Sequence, residues 1–156
     1  FCWRDKVKQK LSDLENQGII AKVGDKVTEW CHPIVVVGKK NGDIRLTVDL
    51  TKLNSEVKRL VHPMKTPKEA VCEVNPKSKY FTTIDAVHGY WQMALAEESQ
   101  LLTTFITPYG RYYFKHAPMG FISTGDQFNH KCDVAFEGIL VNLQLLFPSQ
   151  DLNSRN

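Results

Sequence analysis

The sequence predicts an α+β chain whose helices and hairpins surround one sheet. Three observations lead there: apolar residues at helical spacing near the start, two sets of β-branched or aromatic runs folded about glycine-bearing turns, and a second helical stripe near residue 130. With 156 residues, 42% of them hydrophobic and 10% aromatic, the chain is the size of one ordinary domain and carries enough apolar material for a core. No internal repeat, low-complexity tract or flexible linker divides it.

Val7, Leu11 and Leu14 recur at helix spacing between charged residues and Gly18 follows as a stop, so residues 5–17 read as an amphipathic helix, with Ile19 and Ile20 leading out. Pro33-Ile-Val-Val-Val37 is a β-branched run, and in Lys39-Lys-Asn-Gly-Asp43 the Asn41-Gly42 step favours the positive φ that a tight hairpin demands. The returning strand alternates Ile44, Leu46 and Val48 against Arg45, Thr47 and Asp49, which sends one face to a core and presents Arg45 beside the turn lysines. Pro63, Pro67 and Pro76 make residues 62–79 an irregular connection with one short helix at 67–74. Tyr80-Phe-Thr-Thr-Ile-Asp85 is a further strand candidate. Residues 101–107 and 111–116, parted by Pro108-Tyr-Gly110, make a second hairpin. Ser123 or Thr124 then caps a helix with Gln127 in the first turn and Phe128, Cys132, Ala135 and Phe136 as its buried stripe, ending at Gly138; the run Ile139 to Phe147 reads as a strand.

Twenty basic against 17 acidic residues give +3, a balance that does not by itself argue for a nucleic-acid partner, so any such evidence has to come from position. The four cysteines are widely spaced, with no Cys-x-x-Cys pair, which suits free thiols in a reducing compartment and an intracellular rather than secreted protein. Neither Cys31-His32 nor His130-x-Cys132 has zinc-finger spacing, and packing is the expected use of these residues. The chain begins at Phe1, shows no leader and no apolar run of membrane-spanning length, and is expected to be a soluble internal fragment without a membrane partner.

Asp85 closes a candidate strand and is followed by Ala86-Val-His-Gly-Tyr90, so a carboxylate and the next backbone carbonyl could together present oxygens to a hard cation such as Mg²⁺. On spacing alone it could equally cap a turn. The whole stretch 80–95 resembles the first catalytic motif of reverse transcriptases of the LTR-retrotransposon, gypsy type: aromatic-Thr-x-Leu/Ile-Asp, then Gly-Tyr four residues on. The resemblance implies that Asp85 is catalytic and that Asp85 with the Ala86 carbonyl binds Mg²⁺. It also implies that Tyr90, whose ring in this family lies beneath the nucleotide sugar, selects deoxyribonucleotides, where a tyrosine taken alone would be a core residue.

The segment Lys39 to Asn54 resembles the same family's fingers hairpin, Lys-Lys-Asp/Asn-Gly followed by Arg, Val-Asp and Leu-Asn. Its implied chemistry is phosphate recognition: the Arg45 guanidinium offers planar donors to triphosphate oxygens and Lys39 and Lys40 add mobile charge. Without the resemblance, lysines at a hairpin tip are a solvated edge that discourages aggregation. Phe114-Lys-His-Ala-Pro-Met-Gly-Phe121, continuing to Gln127-Phe128-Asn129, resembles the next family motif, Met-Pro-Phe-Gly-Leu before a helix, which places Met119 and Gly120 at the deoxynucleoside triphosphate (dNTP). Ser123-Thr-Gly-Asp126 departs there from the commoner Ser-Asn-Ala-Pro, as Cys31-His32 departs from the family's Trp-x-Ser-Pro-Ile-Val-Val-Val. Lys58, Arg59 and Gln127 are the expected contacts to the template–primer nucleic acid.

The resemblance runs from about residue 5 to residue 139 with its motifs in family order. It implies an incomplete fingers-palm of a right-hand polymerase without a thumb, the fingers at about 1–61 and 96–121 and the partial palm at about 62–95 and 122–147. From about residue 140 to 156 the chain diverges. The family continues with a strand-turn-strand bearing aromatic-or-Val-x-Asp-Asp, no Asp-Asp pair occurs anywhere in this sequence, and Asp151 stands isolated beyond Pro148. In-line phosphoryl transfer uses two Mg²⁺ ions about 4 Å apart, which one carboxylate and a carbonyl cannot both position. The chain alone is therefore expected to be inactive as an RNA-directed DNA polymerase. The alternatives are a non-catalytic nucleic-acid-binding module and a degenerate remnant of a transposon.

Overall fold

The computed structural model describes residues 3–59, 61–63, 66–82 and 84–137. Val7, Leu11 and Leu14 are buried along one face of helix α1 (Arg4–Asn16), as their spacing predicts. The helix stops where Gly18, at φ +72°, lets the Gly18 and Ile19 amides turn back onto the carbonyls of Glu15 and Leu14, each at 3.0 Å. That turn delivers strand β1 (Ile20–Lys22) to the sheet.

Strands β2 (His32–Gly38) and β3 (Ile44–Val48) form the predicted antiparallel hairpin, with Ile34 opposite Val48 and Val37 opposite Arg45. In the second predicted hairpin, β4 (Phe105–Thr107) and β5 (Gly110–Phe114) pair antiparallel about the 108–109 turn. The order is β1-β5-β4-β2-β3, all antiparallel except for β2 beside β4. Phe105, Tyr112 and Phe114 from the sheet pack with Ile44, Val48 and the buried face of α1 into one core. Beyond β3, helix α2 (Thr51–Glu56) adds Leu53 to that core.

Several sequence-based expectations are corrected. The strand expected at 101–107 begins only at Phe105: helix α4 (Glu97–Gln100) runs into a 3₁₀ turn, Leu101–Thr103, because the Thr103 and Thr104 hydroxyls donate to the carbonyls of Gln100 and Leu101, both at 2.6 Å. Tyr80 to Asp85 forms no strand among the described residues; a strand needs a partner backbone, and none of the described strands pairs with it. The helix expected at 67–74 is α3 (Pro67–Glu73), capped by Thr66 and Glu69 in a reciprocal capping box.

Helix α5 (Thr124–Ala135) is where the second helical stripe falls, and Ser123 stands at its N-cap position, but its side chain makes no capping bond and the Thr124 hydroxyl donates instead to the Pro118 carbonyl at 3.2 Å. Its buried residues are Thr124, Asp126 and Asn129, whereas Phe128, Cys132 and Phe136 are half-buried and Ala135 is exposed. The expected apolar stripe gave way because Asp126 has an arginine partner that makes its burial tolerable. The expected stop at Gly138 and strand at 139–147 lie outside the described residues.

Candidate functional site

The β2–β3 turn is closed by the Lys39 amide donating to the Asp43 carbonyl (2.8 Å) and the Gly42 amide to the Lys39 carbonyl (3.0 Å), with Gly42 at φ +79°. Lys39 reaches the Asp43 carboxylate at 3.9 Å, a weak exposed pair, while Lys40 and Arg45 are exposed. Lys6 of α1, which sequence reasoning did not single out, also arrives at the turn and donates to the Gly42 carbonyl. The tip thus gathers three cations of one exposed hairpin and a fourth, Lys6, from α1, able to neutralise phosphate charge.

Asp85 is exposed on the segment entering a turn in which the Gly89 amide donates to the Ala86 carbonyl at 3.2 Å. Among the described residues His88, at φ +51°, is the one non-glycine in the left-handed region, and its ring stacks on Trp91 with centroids 4.7 Å apart. The following 3₁₀ turn, Gly89–Gln92, puts the Tyr90 ring edge-on to Phe128 of α5 at 5.6 Å and 82°. Trp91 turns the other way, into a small cavity of about 30 Å³ that it shares with Thr47 and Val48 of β3 and with Met119. That shared wall joins the Asp85–Tyr90 turn to the root of the cationic hairpin.

Asn54 fastens α2 to the same place. Its amide donates to the Gly120 carbonyl (2.8 Å) and its carbonyl accepts from the Ile122 amide (3.0 Å), which pins the Met119–Gly120 loop beside β3. Met119 and Gly120 are therefore held beside β3 and Trp91, while Arg45 lies exposed on β3, Tyr90 packs on α5, and Asp85 and Ala86 are exposed.

The remaining expected contacts sit elsewhere. Lys58 is exposed, but Arg59 is engaged by the buried Asp126, with Nε to Oδ2 at 2.8 Å and Nη2 to Oδ1 at 3.3 Å. That bidentate bond holds the Asp126 carboxyl below the usual carboxylate range despite its burial, and holds the Arg59 guanidinium above its own ordinary value. Gln127 lines a cavity of about 560 Å³ with Leu53, Val57, Met93, Phe121 and Lys131, a mostly apolar space that includes neither Asp85 nor Tyr90 nor Arg45. His32, one of the departures noted in the sequence, is a buried connector: its ring stacks on Trp30 at 5.8 Å and its Nε2 lies 3.0 Å from the Leu102 carbonyl.

Residues 37–146 match the family model described as Reverse transcriptase (RNA-dependent DNA polymerase). The chain belongs to the reverse transcriptase family. It is 30% identical over 135 residues to the retrovirus-related Pol polyprotein from transposon gypsy of Drosophila melanogaster, covering 83% of this chain and 13% of that one. To the putative enzymatic polyprotein of Cassava vein mosaic virus it is 25% identical over 134 residues, covering 83% and 20% respectively. The chain thus spans a fifth or less of the length of these curated relatives.

Among solved structures, the protease–reverse transcriptase of prototype foamy virus superposes with a TM-score of 0.78 at 21% identity, over 90% of this chain and 18% of that one. A foamy viral protease–reverse transcriptase in complex with an RNA/DNA hybrid gives 0.76 at 22%, over 88% and 18%. The partial fingers-palm fold is thereby that of a retroviral reverse transcriptase, and the family model spans the β2–β3 turn with β3, the Asp85 turn and α5.

Nucleotidyl transfer in this family is generally metal-dependent, and the described residues supply only part of such a centre. Among the described residues no three of His, Cys, Asp or Glu gather to hold a metal ion. Asp85 offers one carboxylate and Ala86 a carbonyl that already accepts from Gly89. These donors do not fit a two-ion site. Nor is any described helix long and apolar enough to cross a membrane.

Proposed function

We propose that this chain is the fingers and front palm of a retroelement reverse transcriptase, which engages a template–primer and an incoming dNTP but does not extend a primer alone. The observation that carries the reading is the exposed Lys39, Lys40 and Arg45 hairpin, whose root is fastened through Trp91 to the turn bearing Asp85 and Tyr90 and to Met119. Arg45 and the lysines would take triphosphate oxygens, Tyr90 with Met119 and Gly120 would bound the sugar, and Lys58 would touch the nucleic-acid backbone. Foamy viral relatives of the same fold have been solved with an RNA/DNA hybrid and with dsDNA, which supports a template–primer as the partner. Mg²⁺ is the ion the family reading implies, with Asp85 and the Ala86 carbonyl as its donors here. The site is incomplete and no catalytic step is assigned to it. The fingers and palm bounds are those set out from the sequence, and an intracellular location, cytoplasmic or nuclear, suits the cysteine usage.

The test is primer extension on poly(rA)·oligo(dT) with Mg²⁺, comparing the chain with Asp85→Asn, alongside duplex binding at several salt concentrations. The expected result is no extension by either protein and salt-dependent binding that falls in the Lys39→Ala, Arg45→Ala variant. Extension abolished by Asp85→Asn would show instead that another carboxylate, such as Asp151, completes the metal site. Binding that ignores both salt and these substitutions would remove the nucleic-acid reading.

A further inference from the structure

Asp126 stands in the stretch where the chain departs from its family's pattern, and it is 2% exposed, a position at which a carboxylate is costly without partners. Its partners Arg59 and His62 come from the segment that leaves α2. Arg59 binds both oxygens, and the His62 amide donates to Oδ1 at 3.3 Å. One residue of that segment makes a second attachment farther along α5: His62 Nε2 lies 2.7 Å from Asp133 Oδ2, and its ring meets that of His130 edge-on with centroids 5.4 Å apart. His62 thus spans two turns of the helix, its amide at Asp126 and its ring at Asp133, seven residues and about 10.5 Å of rise further on.

Phe128 follows Asp126 by two residues, about 200° around the helix, and so projects from the opposite side. There its ring meets Tyr90, and a Cβ added at Gly89 would lie 2.7 Å from its Cζ. The helix is held between a polar strap on one side and the Tyr90 turn on the other. We infer that Arg59 and His62 form a two-armed clamp on α5 that sets Phe128 against Tyr90, making Arg59 a positioning residue of the nucleotide surface rather than a contact to nucleic-acid phosphate. The effect on nucleotide binding rests on the proposed function; the mechanical link from Arg59 to Tyr90 does not.

The two parts are read separately. In the full chain with isotope-labelled tyrosine, the Tyr90 ring resonance is shifted by the Phe128 ring, and Phe128→Leu defines its position without that ring. Arg59→Gln and Asp126→Asn are each expected to move Tyr90 toward that position while the core Tyr112 resonance stays, with the double variant no further displaced and Arg59→Lys partly restored. Asp133→Asn, on the exposed arm, should give a smaller displacement in the same direction and keeps the test open should a variant of Asp126 not fold.

Binding of dTTP should weaken roughly 3- to 10-fold in Asp126→Asn, with the salt slope of duplex binding unchanged. If Arg59 were a phosphate contact, Asp126→Asn would free the guanidinium and tighten duplex binding, and Arg59→Gln would lower the salt slope by about 1. Either of those results, or a Tyr90 signal unmoved by Arg59→Gln and Asp126→Asn, overturns the inference. A Tyr90 response in a chain that binds neither dTTP nor duplex would remove the proposed function and leave the clamp.

Discussion

Gly89 is a position where the absence of a side chain decides the local packing. A Cβ there would lie 2.7 and 2.8 Å from two carbons of the Phe128 ring and 3.4 Å from the Ala86 Cβ, so either the ring or the turn has to move. Gly89→Ala is expected to cost about 1–3 kcal/mol, as overpacking of a tight contact does, and Phe128→Leu should recover part of it; urea unfolding of the two single variants and the double variant measures the coupling. Asp126 sets a second expectation. Because Arg59 holds its folded-state pKa below the ordinary value of about 3.9, the stability it contributes is present above that pH and is lost as pH falls through the folded-state pKa. Thermal midpoints followed from pH 5 to pH 2 should therefore drop more steeply in the unmodified chain than in Asp126→Asn. Asp85, Tyr90, Arg45 and Lys39 are proposed for the site because each lies within a short motif of characteristic order. Arg59 was expected to contact the nucleic acid because its partner Asp126 is 67 residues away, and no local pattern in one sequence announces such a pairing.

Elements set by local rules were legible in the same way. The α1 stripe, the Gly18 stop and the Asn41-Gly42 turn all follow from contacts within a few residues. Helix α2 was missed, although its signal was present: the Asp49 side chain accepts from both the amide and the hydroxyl of Thr51, at 3.0 and 2.6 Å, a turn-forming arrangement that opens the helix. The same bonds keep the Asp49 carboxyl below its ordinary pKa. The stripe of α5 was misjudged because which side of a helix is buried depends on what packs against it, here the strap bearing Arg59 and His62. What α2 does for the site could not be read locally either, since Asn54 bridges to Gly120 and Ile122 across the chain. Asn54→Ala removes both bonds and should cost about 1–3 kcal/mol, at roughly 0.5–1.5 kcal/mol for each hydrogen bond. It should also raise hydrogen exchange at the Ile122 amide selectively, while the β2–β3 ladder keeps its protection.

At the scale of the whole molecule, the sheet and core were foreseen because alternation in 33–48 and the aromatic run near 105–114 specify one buried face, whereas the parallel contact of β2 with β4 joins segments that no turn connects. The molecule is uneven in how it covers its apolar groups. Tyr80, Phe81, Ile84 and Val87 are 92%, 73%, 71% and 72% exposed, a run of large side chains around Asp85 that the described residues do not cover. Exposed apolar stretches of high β propensity associate with one another, so this segment is expected to drive self-association of the chain. The aggregation is separable from the core, because none of these four residues belongs to the cluster formed by α1, the sheet and α2. Phe81→Lys combined with Ile84→Lys should therefore lower concentration-dependent scattering at neutral pH and leave the thermal midpoint within the usual spread for surface changes, about 0.5 kcal/mol. Should the midpoint fall sharply instead, the 80–87 segment contributes to folding of the whole chain, and the sheet-centred core described here is not its sole source of stability.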